Sequence, residues 1–252
     1  MCLLALAWRV RADYPLVVVA NRDEFHARET DVAHWWTRPR VWAGRDLRAG
    51  GTWLAVTPEG RFAAVTNVRE PGRERHPARS RGRLPLAALA DDPAVAAERA
   101  LSADQYNGFN LVVGAADQVW WSSNRGDRPC RLDAGVHAVS NAGLDTPWPK
   151  VVQARQRLAR ALGEPGAPEP EALLDILADT APPPDEALPD TGVGRDWERL
   201  LAPAFIVSPE YGTRSTTLLM VGADGSALAM ERSYDRDGRS VGTVRMTLPP
   251  RR

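Results

Sequence analysis

Cysteine is nearly absent from this chain: Cys2 and Cys130 are the only two in 252 residues. Two thiols this far apart make neither a disulfide framework nor a zinc-binding spacing. Lysine is scarcer still, with Lys150 alone, so nearly all positive charge is arginine. Together with plentiful Ala, Pro and Gly, that reads as compositional bias and assigns no activity. The formal net charge is zero, which argues against nucleic acid or an anionic membrane surface as the main partner. No apolar stretch approaches the ~20 residues of a membrane span. The N-terminus also lacks the basic start and cleavage site of a signal peptide, because Trp8-Arg9 interrupts its apolar run. A cytoplasmic location is the expectation. Internal repeats and low-complexity tracts are missing as well. What remains, 44% hydrophobic and 25% charged residues, is an ordinary globular composition, and the length suits one domain over residues 1–252.

The apolar runs at residues 2–7 and 16–20 flank a short polar turn and predict a β-hairpin. Residues 25–39 read as an irregular polar and aromatic segment. Gly50-Gly51 opens a strand through Val56, and residues 61–67 are its partner after the Thr57-Pro58-Glu59-Gly60 turn. Residues 68–83, rich in Arg, Pro and Gly, are expected to be a mobile loop. Asp92-Pro93 is an N-cap and first helical position within an Ala-rich stretch, residues 84–103, of one or two helices. A second hairpin is expected at 110–114 and 118–122, a strand at 135–140, and helices at 147–162 and 170–179. Residues 181–195 form a Pro- and Gly-rich loop, a candidate site wall. Strands then return at 204–207, 216–221, 227–233 and 243–248. Strands at both ends with helices between them predict an α+β layered fold.

Several strand ends stop in hydrogen-bonding residues: Asn21-Arg22-Asp23-Glu24, Thr66-Asn67 and Ser140-Asn141. Tyr211-Gly212-Thr213-Arg214 stands at a strand start. Polar residues on one edge of a sheet converge on a rim, where sites are built. Each also has a plainer account, as a turn former or a surface ion pair. Cys2 has one too, as a small apolar residue of a buried strand. If Met1 is trimmed, Cys2 instead presents a thiol and a free α-amine, whose pKa near ~8 suits a local base. Cys2 would then attack a carbonyl. Asp23 would hold the amine, Arg22 or Arg214 would favour the thiolate, and Asn67 and Asn141 would donate to the oxyanion.

The ordered motifs Met1-Cys2, Ala20-Asn21-Arg22-Asp23-Glu24-Phe25, Ala43-Gly44-Arg45-Asp46 and Gly50-Gly51-Thr52-Trp53-Leu54 carry a family resemblance. So do Thr66-Asn67, Ser80-Arg81-Gly82, Tyr106-Asn107-Gly108-Phe109-Asn110-Leu111 and the run from Ser140-Asn141-Ala142-Gly143 to Trp148-Pro149-Lys150. Leu188-Pro189-Asp190-Thr191-Gly192 and Tyr211-Gly212-Thr213-Arg214-Ser215-Thr216 complete the set. The chain resembles the NRDE family, also called the transport and Golgi organisation protein 2 family, over essentially its whole length. That resemblance implies the four-layer αββα sandwich of N-terminal nucleophile (Ntn) hydrolases, with two stacked, mostly antiparallel sheets flanked by helices.

Its pattern is similar to that of the choloylglycine hydrolase and acid amidase branch, which cleaves non-peptide amides with an N-terminal Cys. Cys2, Asp23, Asn67, Asn141 and Arg214 fall on that branch's catalytic pattern. Arg22 departs from it, directly preceding the Asp instead of standing several residues earlier. Asn21, Arg22, Glu24, Arg45, Trp53, Tyr211 and Thr213 are expected to bind substrate. The eukaryotic side of the family implies a different role, in haem trafficking or acyl-CoA and lipid metabolism. His26, His34, a Tyr or a Cys as ligands, with Trp35, Trp36, Trp42 and Trp53 as apolar walls, would serve a haem role, and the Arg-rich segment 69–83 a CoA phosphate. A small-molecule amide is the first expectation, with no required cofactor or metal; a carried haem or acyl-CoA in the same pocket is the alternative.

Overall fold

Alternation organises the first strand, β1 (Cys2–Trp8). Leu4, Leu6 and Trp8 join one hydrophobic cluster, and Leu3, Ala5 and Ala7 join another. Both faces are buried, which is why the run is apolar throughout. β2 (Leu16–Phe25) repeats the pattern, Leu16 and Val18 on one side and Val17 and Val19 on the other. The computed structural model describes residues 2–75 and 77–250, and its strands form two antiparallel sheets.

The first sheet has six strands, in the order β10 (Gly135–Val139), β1, β2, β11 (Tyr211–Val221), β12 (Ala227–Tyr234) and β13 (Ser240–Leu248). The second has seven in chain order: β3 (Thr30–Trp35), β4 (Trp42–Asp46), β5 (Leu54–Val56), β6 (Phe62–Asn67), β7 (Phe109–Gly114), β8 (Val119–Ser123) and β9 (Cys130–Arg131). Between the sheets, Leu4, Leu6 and Val18 pack with Leu54, Phe62 and Val112. Burying each such side chain fully contributes about 1.5–3 kcal/mol, so this seam is a large part of what holds the sheets face to face.

Helices cover both outer faces. On the first sheet, α3 (Pro149–Gly163) lays down Val151, Ala154, Leu158 and Leu162, and α4 (Pro170–Leu174) adds Leu173 and Leu174. The 3- and 4-residue spacing in α3 is the apolar stripe of a one-sided helix. On the second sheet, α1 (Leu84–Ala88) and α2 (Pro93–Leu101) cover Ala63, Val65 and Leu111 with small side chains such as Ala88, Ala96 and Ala100. The expected cap is present: Asp92 accepts the Ala94 N–H at 2.9 Å, with Pro93 at the first helical position. α5 (Arg195–Leu201) follows the Pro-rich loop. The architecture is an αββα-type sandwich.

Three expectations are corrected. Residues 25–39 are not wholly irregular, because they contain β3, an edge strand whose mostly exposed residues leave little apolar alternation to read. Residues 204–207 are not a strand. The segment is stapled to the start of β11, Ile206 N–H donating to Thr213 Oγ1 and Thr213 N–H to the Ile206 carbonyl, each at 2.9 Å. The Arg-rich loop, in its described residues, is tied down: Arg125 holds Glu70 at 2.7 Å, and Arg79 bridges to Tyr106.

Candidate functional site

The apolar filling between the sheets ends where β2 passes from Val17–Ala20 to Asn21-Arg22-Asp23-Glu24. β1 starts at that same end, because the antiparallel register sets Cys2 opposite Arg22. In the facing sheet β6 ends there too, in Thr66-Asn67. Polar side chains cannot close the gap as Leu and Phe do, and a cavity of about 450 Å³ remains. Cys2, Arg22, Asp23, Glu24, Trp53 and Asn67 all line it.

Cys2 is partly buried, and burial pushes its thiol up; the nearby Asp23 charge adds to this, while Arg22 and hydrogen bonding from the Asp23 backbone pull it back. The thiol is therefore protonated at neutral pH and needs a base to become a nucleophile. Met1, whose removal would free the α-amine for that task, lies outside the described residues. Asp23 accepts from Thr213 Oγ1 at 2.7 Å. Burial raises its carboxyl pKa, against the opposing pull of Lys150, Thr213 and Arg22. Lys150 stands behind the site in α3, buried, donating to the Leu201 carbonyl at 2.7 Å. Burial lowers its pKa to about 8.

The Arg22 guanidinium carbon sits over the Trp53 ring, 4.5 Å from its centroid, and Nη2 is 3.8 Å from Asp46. Asn67 is held from behind, since its carbonyl accepts from Asn141 Nδ2 at 2.9 Å. Asn141 is buried, away from the cavity lining, and acts on the site through Asn67. A polar clasp joins the sheets beside them. Thr66 Oγ1 donates to the Ser140 carbonyl at 2.5 Å, Asn110 Nδ2 to the Ala142 carbonyl at 2.7 Å, and Ser140 Oγ to the Cys2 carbonyl at 3.2 Å.

Other expected site residues sit elsewhere. Asn21 faces the helical layer, its Nδ2 donating to the Leu177 and Ala204 carbonyls at 3.0 and 2.8 Å. Thr213 touches Asp23 without lining the cavity. Arg214 is the extra residue of a bulge in β11, between Thr213 opposite Asp23 and Ser215 opposite Arg22. A bulge re-aims a side chain, and Arg214 Nη1 meets the carbonyls of Phe25, His26 and Arg28 at 3.2–3.3 Å. Tyr211 is buried edge-on to Phe25, at 5.1 Å between ring centroids. Arg45 is exposed and stacks on Trp36 at 4.7 Å. His26 and His34 hydrogen-bond backbone carbonyls of Ser208 and Val32. The loop at 181–195 walls a different, small recess with Lys150 and Trp148.

Arg79, Ser80 and Arg81 form the cavity's outer wall; sequence reasoning named Ser80-Arg81 only as part of a family motif and the 69–83 segment only as a CoA-phosphate candidate, and placed none of the three beside Cys2. The signal was present in Gly51 and Gly82. Thr52 N–H donates to the Gly82 carbonyl at 2.8 Å, and a Cβ on Gly51 would overlap the Gly82 backbone. Two glycines are what lets the loop close over the strand. The buried Arg69–Glu198 ion pair at 2.5 Å, adjoining Lys150, was also missed.

Comparison with known proteins now bears on this geometry. Residues 1–236 match the model of the Transport and Golgi organisation 2 family. A transport and Golgi organization protein 2 homolog of Bos taurus is 35% identical over 241 residues, covering 87% of each chain. Its Homo sapiens counterpart is 33% identical over 246 residues, covering 89% of this chain and 88% of that protein. Among solved structures, a Caenorhabditis elegans N-acylethanolamine-hydrolyzing acid amidase ortholog superposes with a TM-score of 0.43 at 10% identity. The overlap covers 86% of this chain and 92% of that one. Likeness at that level carries no argument about chemistry.

Proposed function

Because the chain belongs to the transport and Golgi organisation 2 family, we propose that it is a cytoplasmic Ntn-hydrolase-type enzyme that cleaves a carbon–nitrogen amide bond of a small molecule. One observation carries this reading: a nucleophile, a buried carboxylate and an amide donor, from two facing sheets, line one cavity as Cys2, Asp23 and Asn67. With Met1 removed, the Cys2 α-amine takes the thiol proton and Sγ bonds to the substrate carbonyl carbon. Asn67 is the side-chain donor for the oxyanion that develops, an interaction worth about 2.7–4 kcal/mol where geometry is right. The ammonium returns its proton to the leaving nitrogen, the C–N bond breaks, and water hydrolyses the thioester. Asp23 orients the amine through its charge, and Asn141 and Thr213 position Asn67 and Asp23.

Intact mass and a panel of N-acyl amides test this. A mature chain lacking Met1, with hydrolysis abolished in Cys2→Ala, is the expected result. A retained Met1, or a Cys2→Ala variant with full activity, overturns it. A Soret shift on haemin titration, lost on one His, Tyr or Cys substitution, would instead assign the chain as a carrier.

A further inference from the structure

Five arginines line the cavity against three carboxylates. Arg28 is already satisfied, its Nε 2.6 Å from Asp46 and 3.8 Å from Glu24. Arg22 is not. Its side chain is only 5% exposed, and Nη1 has no hydrogen-bond partner among the described residues. A buried N–H of a charged group without an acceptor is costly, so such groups mark a place where an acceptor arrives. Cys2 does not supply that anion, because burial keeps its thiol protonated. Nor does Glu231, the nearby buried carboxyl of β12: its two oxygens accept from Ala33 N–H at 2.7 Å and Thr217 Oγ1 at 3.2 Å. From the facing loop, Arg81 lines the same cavity, having spent Nη1 on the Gly108 carbonyl at 3.0 Å.

We propose that Arg22 and Arg81 form an oxyanion-binding subsite beside Cys2, so that the molecule acted on carries a carboxylate or phosphate group close to the reacting carbonyl. Trp53 holds the Arg22 guanidinium over its ring, 4.5 Å from the centroid, which restricts where that charge can go before a ligand binds. A second guanidinium from the opposite wall completes a two-sided clamp of charge-assisted hydrogen bonds. The class of bond cleaved rests on the amide-hydrolase reading; the anion subsite does not.

Alkylation of Cys2 reads the subsite directly. In Cys130→Ser protein, labelling by anionic iodoacetate and neutral iodoacetamide is followed at fixed ionic strength and mapped to Cys2 by mass spectrometry. Iodoacetate labelling is expected to saturate and to be the faster of the two, the reverse of a free thiol. Arg22→Gln is expected to lower the iodoacetate-to-iodoacetamide ratio about tenfold or more, and Arg81→Gln to lower it as well. In the Cys130→Ser background, competition by acetate alone assigns a carboxylate, and competition by inorganic phosphate alone a phosphate. Competition by both assigns a subsite open to either.

Faster, unsaturable labelling by iodoacetamide overturns the proposal, as does competition by neither anion. Unchanged ratios in both variants with wild-type circular dichroism do the same. Should Arg22→Gln fail to fold, Arg81→Gln and the competition arm decide. Saturable iodoacetate labelling without any amide hydrolysis would remove the enzyme reading and leave the subsite standing.

Discussion

The Thr213 hydroxyl serves two buried groups at once. It donates to Asp23 Oδ1 at 2.7 Å and accepts the Ile206 N–H at 2.9 Å. Thr213→Val preserves shape and removes both bonds. Losing a hydrogen bond to a charged group costs about 1.5–3 kcal/mol, and an orphaned buried N–H about 1–3 kcal/mol. The expected loss of stability is therefore about 2.5–6 kcal/mol at pH 7, a large share of a typical domain's total. Thr213→Ser keeps the hydroxyl and should cost only about 1 kcal/mol for the lost methyl. Denaturant unfolding midpoints at constant slope measure both.

The pH dependence supplies a second check. Burial raises the folded carboxyl of Asp23, and the Thr213 donor pulls it down; Thr213→Val moves it further up. A raised carboxyl contributes stability below its unfolded pKa of about 3.9 and loses it as pH rises through the folded pKa. The gap between Val variant and wild type should narrow on acidification towards pH 4. A Val variant within 1 kcal/mol of wild type at pH 7, or a gap independent of pH, would refute the reasoning.

Two further expectations concern the walls. Gly51→Ala places a methyl against the Gly82 backbone; overpacking there should cost about 1–3 kcal/mol and speed tryptic cleavage after Arg79 and Arg81, and an unchanged cleavage rate would argue that the wall does not depend on this contact. Lys150 has its folded pKa lowered by burial from 10.5 to about 8. Between those values the unfolded state binds the proton and the folded state does not, so this residue makes stability rise with pH, by ~3 kcal/mol at ~1.4 kcal/mol per unit. Thermal or denaturant unfolding from pH 8 to 10.5 should show that rise as a wild-type-minus-variant difference against Lys150→Met, and a flat difference would refute it.

Much of this protein was legible in its residues, because the contrast between apolar runs and polar turns is local. The apolar runs at residues 2–7 and 16–20 on either side of a polar turn specified a hairpin, and antiparallel pairing then carried Cys2 to Arg22 without further information. The switch from apolar to polar at Asn21 and at Asn67 marked where the core would end. Edge strand β3 escaped notice because an exposed edge carries little alternation. The run at 204–207 looked like a strand because it is apolar, but Ala204 to Ile206 are buried by covering the start of β11 while Val207 is exposed.

Tertiary structure decided which guanidinium serves the cavity. An arginine side chain is long enough to point several ways, and a one-residue bulge turned Arg214 to the carbonyls at and just beyond the end of β2, while two glycines let Arg81 close from the opposite sheet. It also decided the partners of the single lysine: only the packing of α3 against the first sheet brings Lys150 under the influence of Asp23, 127 positions earlier in the chain. The sequence by itself determined the opening hairpin and its polar end, since neighbours along a strand specify both. The depth of the cavity, the burial that keeps Cys2 protonated and the unsatisfied nitrogen of Arg22 exist only once two sheets face each other, because desolvation belongs to the packed volume and to no single residue.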